Sequence, residues 1–190
     1  MSVMPKRMLV GDAVLYVGVF HFDDDADTIM AQLTAENRLG LGKDKVKFTA
    51  TPNVVDYEFS GRNDKPVKEM QSVCGWDVTV EGDCLDLNET VLTNALMKKV
   101  GTDPSDVYDV YTGIEGKIPE DAYLDIAIVG KDHISNQLVA ILVKDCIGTE
   151  FALEFANNEE DVATPLNLKP CYSIEELGKV PFKIIAPKLS

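Results

Sequence analysis

The chain has 190 residues, 45% of them hydrophobic, and 32 acidic against 18 basic side chains give it a formal charge of −14. That length and apolar fraction fit one domain with an ordinary buried core. The charge argues against tight, passive nucleic-acid binding, whose affinity comes from Lys and Arg neutralising phosphates and releasing their counterions.

The N-terminal stretch has two early cations, Lys6 and Arg7, then an apolar run from Ala13 to Phe20 that glycine interrupts and that leads into His21 and Asp23–Asp25. It lacks a small-residue cleavage site and reads poorly as a signal peptide, and no run approaches the ~18 apolar residues of a membrane span. The expectation is synthesis in the cytoplasm with reduced, mostly buried thiols.

The first strand is predicted over Asp12–Phe20, rich in β-branched and aromatic residues. Residues 21–44 are ambiguous and read as a possible inserted segment, with a short helix over Ala26–Leu33 suggested by Ile29 and Leu33 four apart. Lys45–Ala50 alternates as a half-buried strand; Pro52 interrupts it, and Val54–Phe59 resumes with Val55, Tyr57 and Phe59 on one face. The polar, turn-rich loop Ser60–Met70 then separates two strand signals and predicts a projecting hairpin arm.

Val73–Leu85 puts Trp76, Val78, Val80 and Cys84 on one parity and Asp77, Thr79, Glu81 and Asp83 on the other. A one-residue slip would exchange the faces, so the pattern assigns the first set to the core and leaves a row of carboxylates outside. Asn88 is a good N-cap for a helix over residues 88–100, with Glu89 at its positive end, Lys98 and Lys99 at its negative end, a Val91–Leu92–Ala95–Leu96–Val100 stripe, and Gly101 to end it. Residues 101–121 form a long polar connection, a second possible insertion, in which Val107–Tyr111 is a short strand signal.

Tyr123–Val129 alternates again, and Asn136–Ile147 is apolar on both parities, which predicts burial on both faces. Phe151, Leu153 and Phe155 alternate, and Val180–Ala186 gives the last strand signal. The sum is a mainly β fold, a β-sandwich or partial barrel with one flanking helix.

The chemistry-bearing residues form no recognisable catalytic motif. His21 and His133 lack ligand spacing, the four cysteines (Cys74, Cys84, Cys146, Cys171) lack a C-x-x-C pair, and no nucleophile elbow or glycine-rich phosphate loop occurs. Asp23–Asp27 resembles part of a calcium loop, but Thr28 and Thr34 stand where an EF-hand needs Gly and Glu. Asp77, Glu81 and Asp83 lie on a polar strand face rather than in the burial that sets catalytic carboxylates apart. Cys74 or Cys146 with His133 is a nucleophilic pair on residue type alone. The expectation is a non-enzymatic protein without metal or cofactor.

The segment KVKFTATPNVVDYEFSGRNDKPVKEMQSVCGWDVTVEGDCLDLNETVLTNALMKK resembles the central part of major tail-tube proteins of long-tailed bacteriophages and related prophage particles, as does FALEFANNEED followed by VPFKIIAP. The resemblance covers residues 45–100 and 137–187 and is one of element order rather than invariant residues. It implies a ring-forming, self-assembling virion protein: hexameric rings, stacked through a projecting loop and terminal arms, enclose a β-lined channel for tape-measure protein and then DNA. Its implied partners are further copies, the tape-measure protein, tail-terminator and baseplate proteins, with DNA as non-adhering cargo and no membrane.

On that reading Asp77, Glu81, Asp83, Glu150 and Glu154 are candidate channel-lining residues, and Arg62, Asp64, Lys65, Lys68 and Glu69 belong to the candidate ring-stacking loop. Rival readings are a tail terminator, a capsid decoration protein or a soluble ligand-binding β-sandwich.

Overall fold

The structure, a computed structural model, describes residues 9–18, 20–58, 65–84, 87–102, 107–132, 136–153 and 164–188. Among the described residues nine strands and two short helices follow one another as β1 (Leu9–Gly18), α1 (Ala26–Ala31), β2 (Arg38–Asp56), β3 (Gln71–Cys84), α2 (Glu89–Asn94), β4 (Met97–Thr102), β5 (Asp109–Gly113), β6 (Leu124–Asp132), β7 (Leu138–Glu150), β8 (Thr164–Pro170) and β9 (Phe182–Ile185). The expected mainly β class holds, and every strand pairing is antiparallel.

Seven strands form one sheet in the order β6-β1-β2-β3-β8-β7-β9, and a further β6–β7 pairing joins the series back on itself. β4 and β5 make a separate two-stranded hairpin. Inside the main circuit Leu15, Leu39, Val78, Val80, Ile126, Ile128, Val143, Leu166 and Leu168 form the principal core, joined by Val91 of α2. Alternate residues of β6 and β7, Ala127, Val129, Ala140 and Leu142, point the other way and are covered by Phe20 and by Ile29 of α1. β7 is therefore buried on both faces, as its unbroken apolar run predicts.

A bulge fixes the middle of this pair. Leu124 pairs with Cys146 and Ile126 with Val143, so Lys144 and Asp145 together oppose Asp125. Asp145 takes a left-handed backbone (φ 49°), which Asp tolerates better than most residues. The Asp125 carboxylate ties the region together: Oδ1 accepts the Asp145 N–H at 2.9 Å, and Oδ2 accepts the Phe20 N–H at 3.2 Å. From β9, the Lys183 ammonium donates to the carbonyls of Phe22 (2.6 Å) and Asp24 (2.9 Å), fastening the acidic loop before α1. Asp25 caps that helix, accepting from the Thr28 N–H at 2.7 Å.

Four readings from sequence are corrected. The helix expected over residues 88–100 starts as predicted at the Asn88 cap, which accepts from Val91 N–H at 2.9 Å, but ends at Asn94. Leu96 turns left-handed (φ 59°), its carbonyl accepts the Ile114 N–H, and Met97–Thr102 becomes β4. The β-branched Val100 and Thr102 favour pairing with the Val110–Tyr111–Thr112 run over a further turn of helix. Helix α1 is a second one, so the fold does not have a single flanking helix.

Pro52 does not break its strand. It pairs with Trp76 within β2, where the opposite edge has no partner strand among the described residues, an edge position in which proline is tolerated. The Phe151, Leu153 and Phe155 alternation does not extend β7, which ends at Glu150; Phe155 lies outside the described residues, and the next described strand is β8, between Thr164 and Pro170.

Asn94 positions α2. It is buried and donates to the carbonyls of Ala122 (3.2 Å) and Cys146 (2.9 Å), while the α2 backbone lies so close to β7 that a Cβ on Gly148 would sit 2.9 Å from the Asn94 carbonyl oxygen. Gly148→Ala is expected to destabilise the fold by about 1–3 kcal/mol through overpacking against backbone, and Asn94→Ala by a similar amount through buried acceptors left without a donor. Chemical denaturation of the two variants checks both.

Candidate functional site: a charged sheet face and a projecting ribbon

The outward face of β3 develops as its alternation dictates. Val78 and Val80 are buried, whereas Asp77 and Glu81 are exposed and Asp83 is half-buried. Antiparallel register sets Lys47 of β2 opposite Glu81, and Lys47 Nζ donates to Glu81 Oε2 at 3.0 Å. On the other side Asn167 of β8 lies opposite Glu81, and Glu150 of β7 lies opposite Asn167. Lys45, Lys47, Glu81, Asp83, Glu150 and Asn167 thus line one shallow groove of about 370 Å³.

Three of the five carboxylates proposed for a channel wall are brought together here. Asp77 lies on the same face but four residues along the strand, roughly 14 Å from Glu81. Glu154 falls outside the described residues. The sequence reading missed that Lys45 and Lys47 share this face. The signal was present in their alternation with Val46 and Phe48, and cross-strand register converts it into a partial neutralisation of the acidic row. Each such exposed pair is worth little, about 0–1 kcal/mol, so the face stays hydrated and only mildly acidic.

The second feature is the β2–β3 ribbon. β1 pairs with β2 only over residues 38–41 and β8 pairs with β3 only over residues 80–84. Beyond those limits, to Asp56 and Gln71, β2 and β3 pair only with each other among the described residues. Its base is held down where Phe182 meets the rings of Phe48 and Trp76 edge-on at 5.3 and 5.2 Å, and where the Tyr172 hydroxyl donates to the Trp76 carbonyl at 3.1 Å.

The distal part stands clear, with Val54, Val55, Tyr57, Met70 and Val73 exposed. Lys65, Lys68 and Glu69 of the predicted stacking loop are exposed where the chain re-enters β3. Arg62 and Asp64 lie outside the described residues.

A cleft of about 250 Å³ opens beside the β6–β7 bulge, lined in part by Phe20, His21, Asp145, Cys171, Tyr172 and Glu176. His21 and Cys171 are the residue types of a nucleophilic pair, but among the described residues no hydrogen bond joins them. Burial, and then the Asp145 charge, push the Cys171 thiol up, away from thiolate. Burial likewise raises Cys146, and burial followed by the Asp125 charge raises Asp145. Among the described residues no group of three His, Cys, Asp or Glu side chains is placed to hold a metal ion, and no helix is long and apolar enough to cross a membrane.

No protein-family model matches the chain, and no curated protein matches it.

The best-defined ion cluster borders the same cleft. Glu176 accepts from Lys144 at 2.6 Å and from Lys179 at 2.9 Å, and these two bonds, Lys144 first, push its carboxyl from an ordinary 4.5 down to about 2. A carboxyl lowered in the folded state stabilises the fold above its unfolded pKa, and that contribution disappears as pH falls through the folded value. Glu176→Gln should therefore lower the melting temperature at pH 7, and the gap to the wild-type chain should close near pH 2. Melting curves at the two pH values read this directly.

Proposed function

We propose that the chain is a self-assembling structural subunit whose copies form rings that stack into a tube, in the manner of a bacteriophage tail tube. The observation that carries this reading is the β2–β3 ribbon. A two-stranded ribbon is marginal in water by itself, and free strand edges flanked by exposed apolar residues invite strand pairing with another chain. A closed ring of subunits removes such edges, because each copy's free edge finds the next copy's.

The charged face supports the same reading from a second direction. Asp77, Glu81, Asp83 and Glu150 outnumber Lys45 and Lys47 on this face and leave it hydrated and mildly acidic, which suits a wall that phosphate-bearing cargo passes without multi-site attachment. In this proposal tape-measure protein and then DNA occupy the channel, further copies, terminator and baseplate proteins are the contacts, and the virion tail is the destination.

Negative-stain microscopy of the purified chain is expected to show rings or tubes; a strictly monomeric species at high concentration overturns the proposal. Deleting Asn63–Lys68 is expected to leave the circular-dichroism spectrum and melting temperature near wild type while abolishing stacking of rings, and tubes that form unchanged would remove this loop from the contact. Reversing Asp77, Glu81 and Asp83 to lysine is expected to slow DNA delivery by reconstituted particles without preventing assembly. Delivery at the normal rate would place this face away from the channel.

A further inference from the structure

The β4–β5 hairpin has no evident role within its own subunit. It is detached from the main sheet, and its strands are exposed along nearly their whole length. Val100, Val107, Tyr108 and Val110 stand in solvent, Val107 and Tyr108 with two thirds of their surface exposed (66% and 67%). Its polar side is internally satisfied: Asp109 accepts from Lys99 at 2.7 Å and from Thr102 at 3.0 Å. Lys98 makes no ion pair among the described residues, so the hairpin offers an apolar surface beside one uncommitted cation. Isolated two-stranded hairpins are marginally stable, and solvated apolar clusters of this kind mark contact sites.

A surface of matching character lies on the connection between β8 and β9. There the 3₁₀ turn Ile174–Glu176 holds Ile174 at 89% exposure, with Leu177 three residues on and Tyr172 just before it also exposed. Glu176 is committed to Lys144 and Lys179, but its neighbour Glu175 is exposed and makes no ion pair among the described residues. The clamp on Glu176 holds the turn against β7, so its apolar residues are presented on an anchored support.

We propose that the β4–β5 hairpin is a docking arm for a second copy of this chain, seated on that copy's Tyr172–Leu177 turn with Lys98 facing Glu175. Charge complementarity selects this occupant. Hairpin against hairpin would set Lys98 against Lys98, and turn against turn would set Glu175 against Glu175, whereas hairpin against turn joins opposite signs and covers apolar residues on both sides. The contact uses two different patches, so it is head-to-tail and repeats from copy to copy. It rests on the assembly reading above and adds to it a surface separate from the ribbon.

The test is a charge swap in the full chain, read by sedimentation velocity and by the concentration at which light scattering begins. Circular dichroism confirms that each variant is folded. Lys98→Glu and Glu175→Lys are each expected to raise the assembly concentration about tenfold, and the double variant to return it to within about threefold of wild type, since a like-charge contact repels and a restored pair does not. Val110→Ser and Ile174→Ser, which leave the charges alone, are expected to weaken assembly in the same direction.

Unchanged assembly in the single charge variants overturns the docking arm while leaving the tube reading in place, as does a double variant no better than the singles. A wild-type chain that never self-associates overturns both.

Discussion

The arrangement depends on β7 having neighbours on both edges and both faces. Along one edge it pairs with β6; along the other it pairs first with β9 and then with β8. A strand in that position cannot shift its register without moving three partners and two hydrophobic clusters at once. The bulge at Lys144–Asp145 is where it gives way, and the Asp125 carboxylate holds that deformation by bonding the displaced N–H. The cleft beside it, the seat of α2 against Gly148 and the clamp on Glu176 all refer back to the course of this one strand.

Where side-chain alternation and burial coincide, the sequence is legible. Asp77, Thr79, Glu81 and Asp83 against Val78 and Val80 give the faces of β3 correctly, and the doubly apolar run gives β7. Asn88 gives the start of α2 because a cap is a local interaction. The end of that helix is not local: Val100 fits a helical stripe as well as a strand, and the choice is made by a partner, β5, ten residues further on. β8 is hidden for a related reason, since a seven-residue strand with proline at its second and last positions carries turn chemistry in its letters.

The candidate site divides in the same way. The carboxylate row can be read from one strand, but Lys47 opposite Glu81 and Glu150 beyond Asn167 require register across three pairings. The Glu176 cluster needs tertiary contact between β7 and a turn 32 residues away.

An excess of 14 acidic charges also sets the terms of any assembly. Copies brought into a ring repel through their summed charge, and the repulsion between exposed groups is screened over about 8 Å at physiological ionic strength. Attraction in any assembly would then come from short-range contacts and apolar cover, which the exposed apolar residues of the ribbon and of the β4–β5 hairpin supply. Long-range repulsion with short-range attraction favours orderly addition over indiscriminate clumping, because only correctly oriented encounters overcome the field.

The Lys183 ammonium carries a consequence of a different kind. By holding the carbonyls of Phe22 and Asp24 it joins residues 161 and 159 positions apart, so the last strand and the loop before α1 form one mechanical unit although they are nearly the whole chain apart in synthesis. The loop gains these two bonds only once β9 has docked, so part of what holds it is supplied from the far end of the chain. The same coupling is expected to make β9 and that loop open together, which hydrogen exchange would read as joint loss of protection.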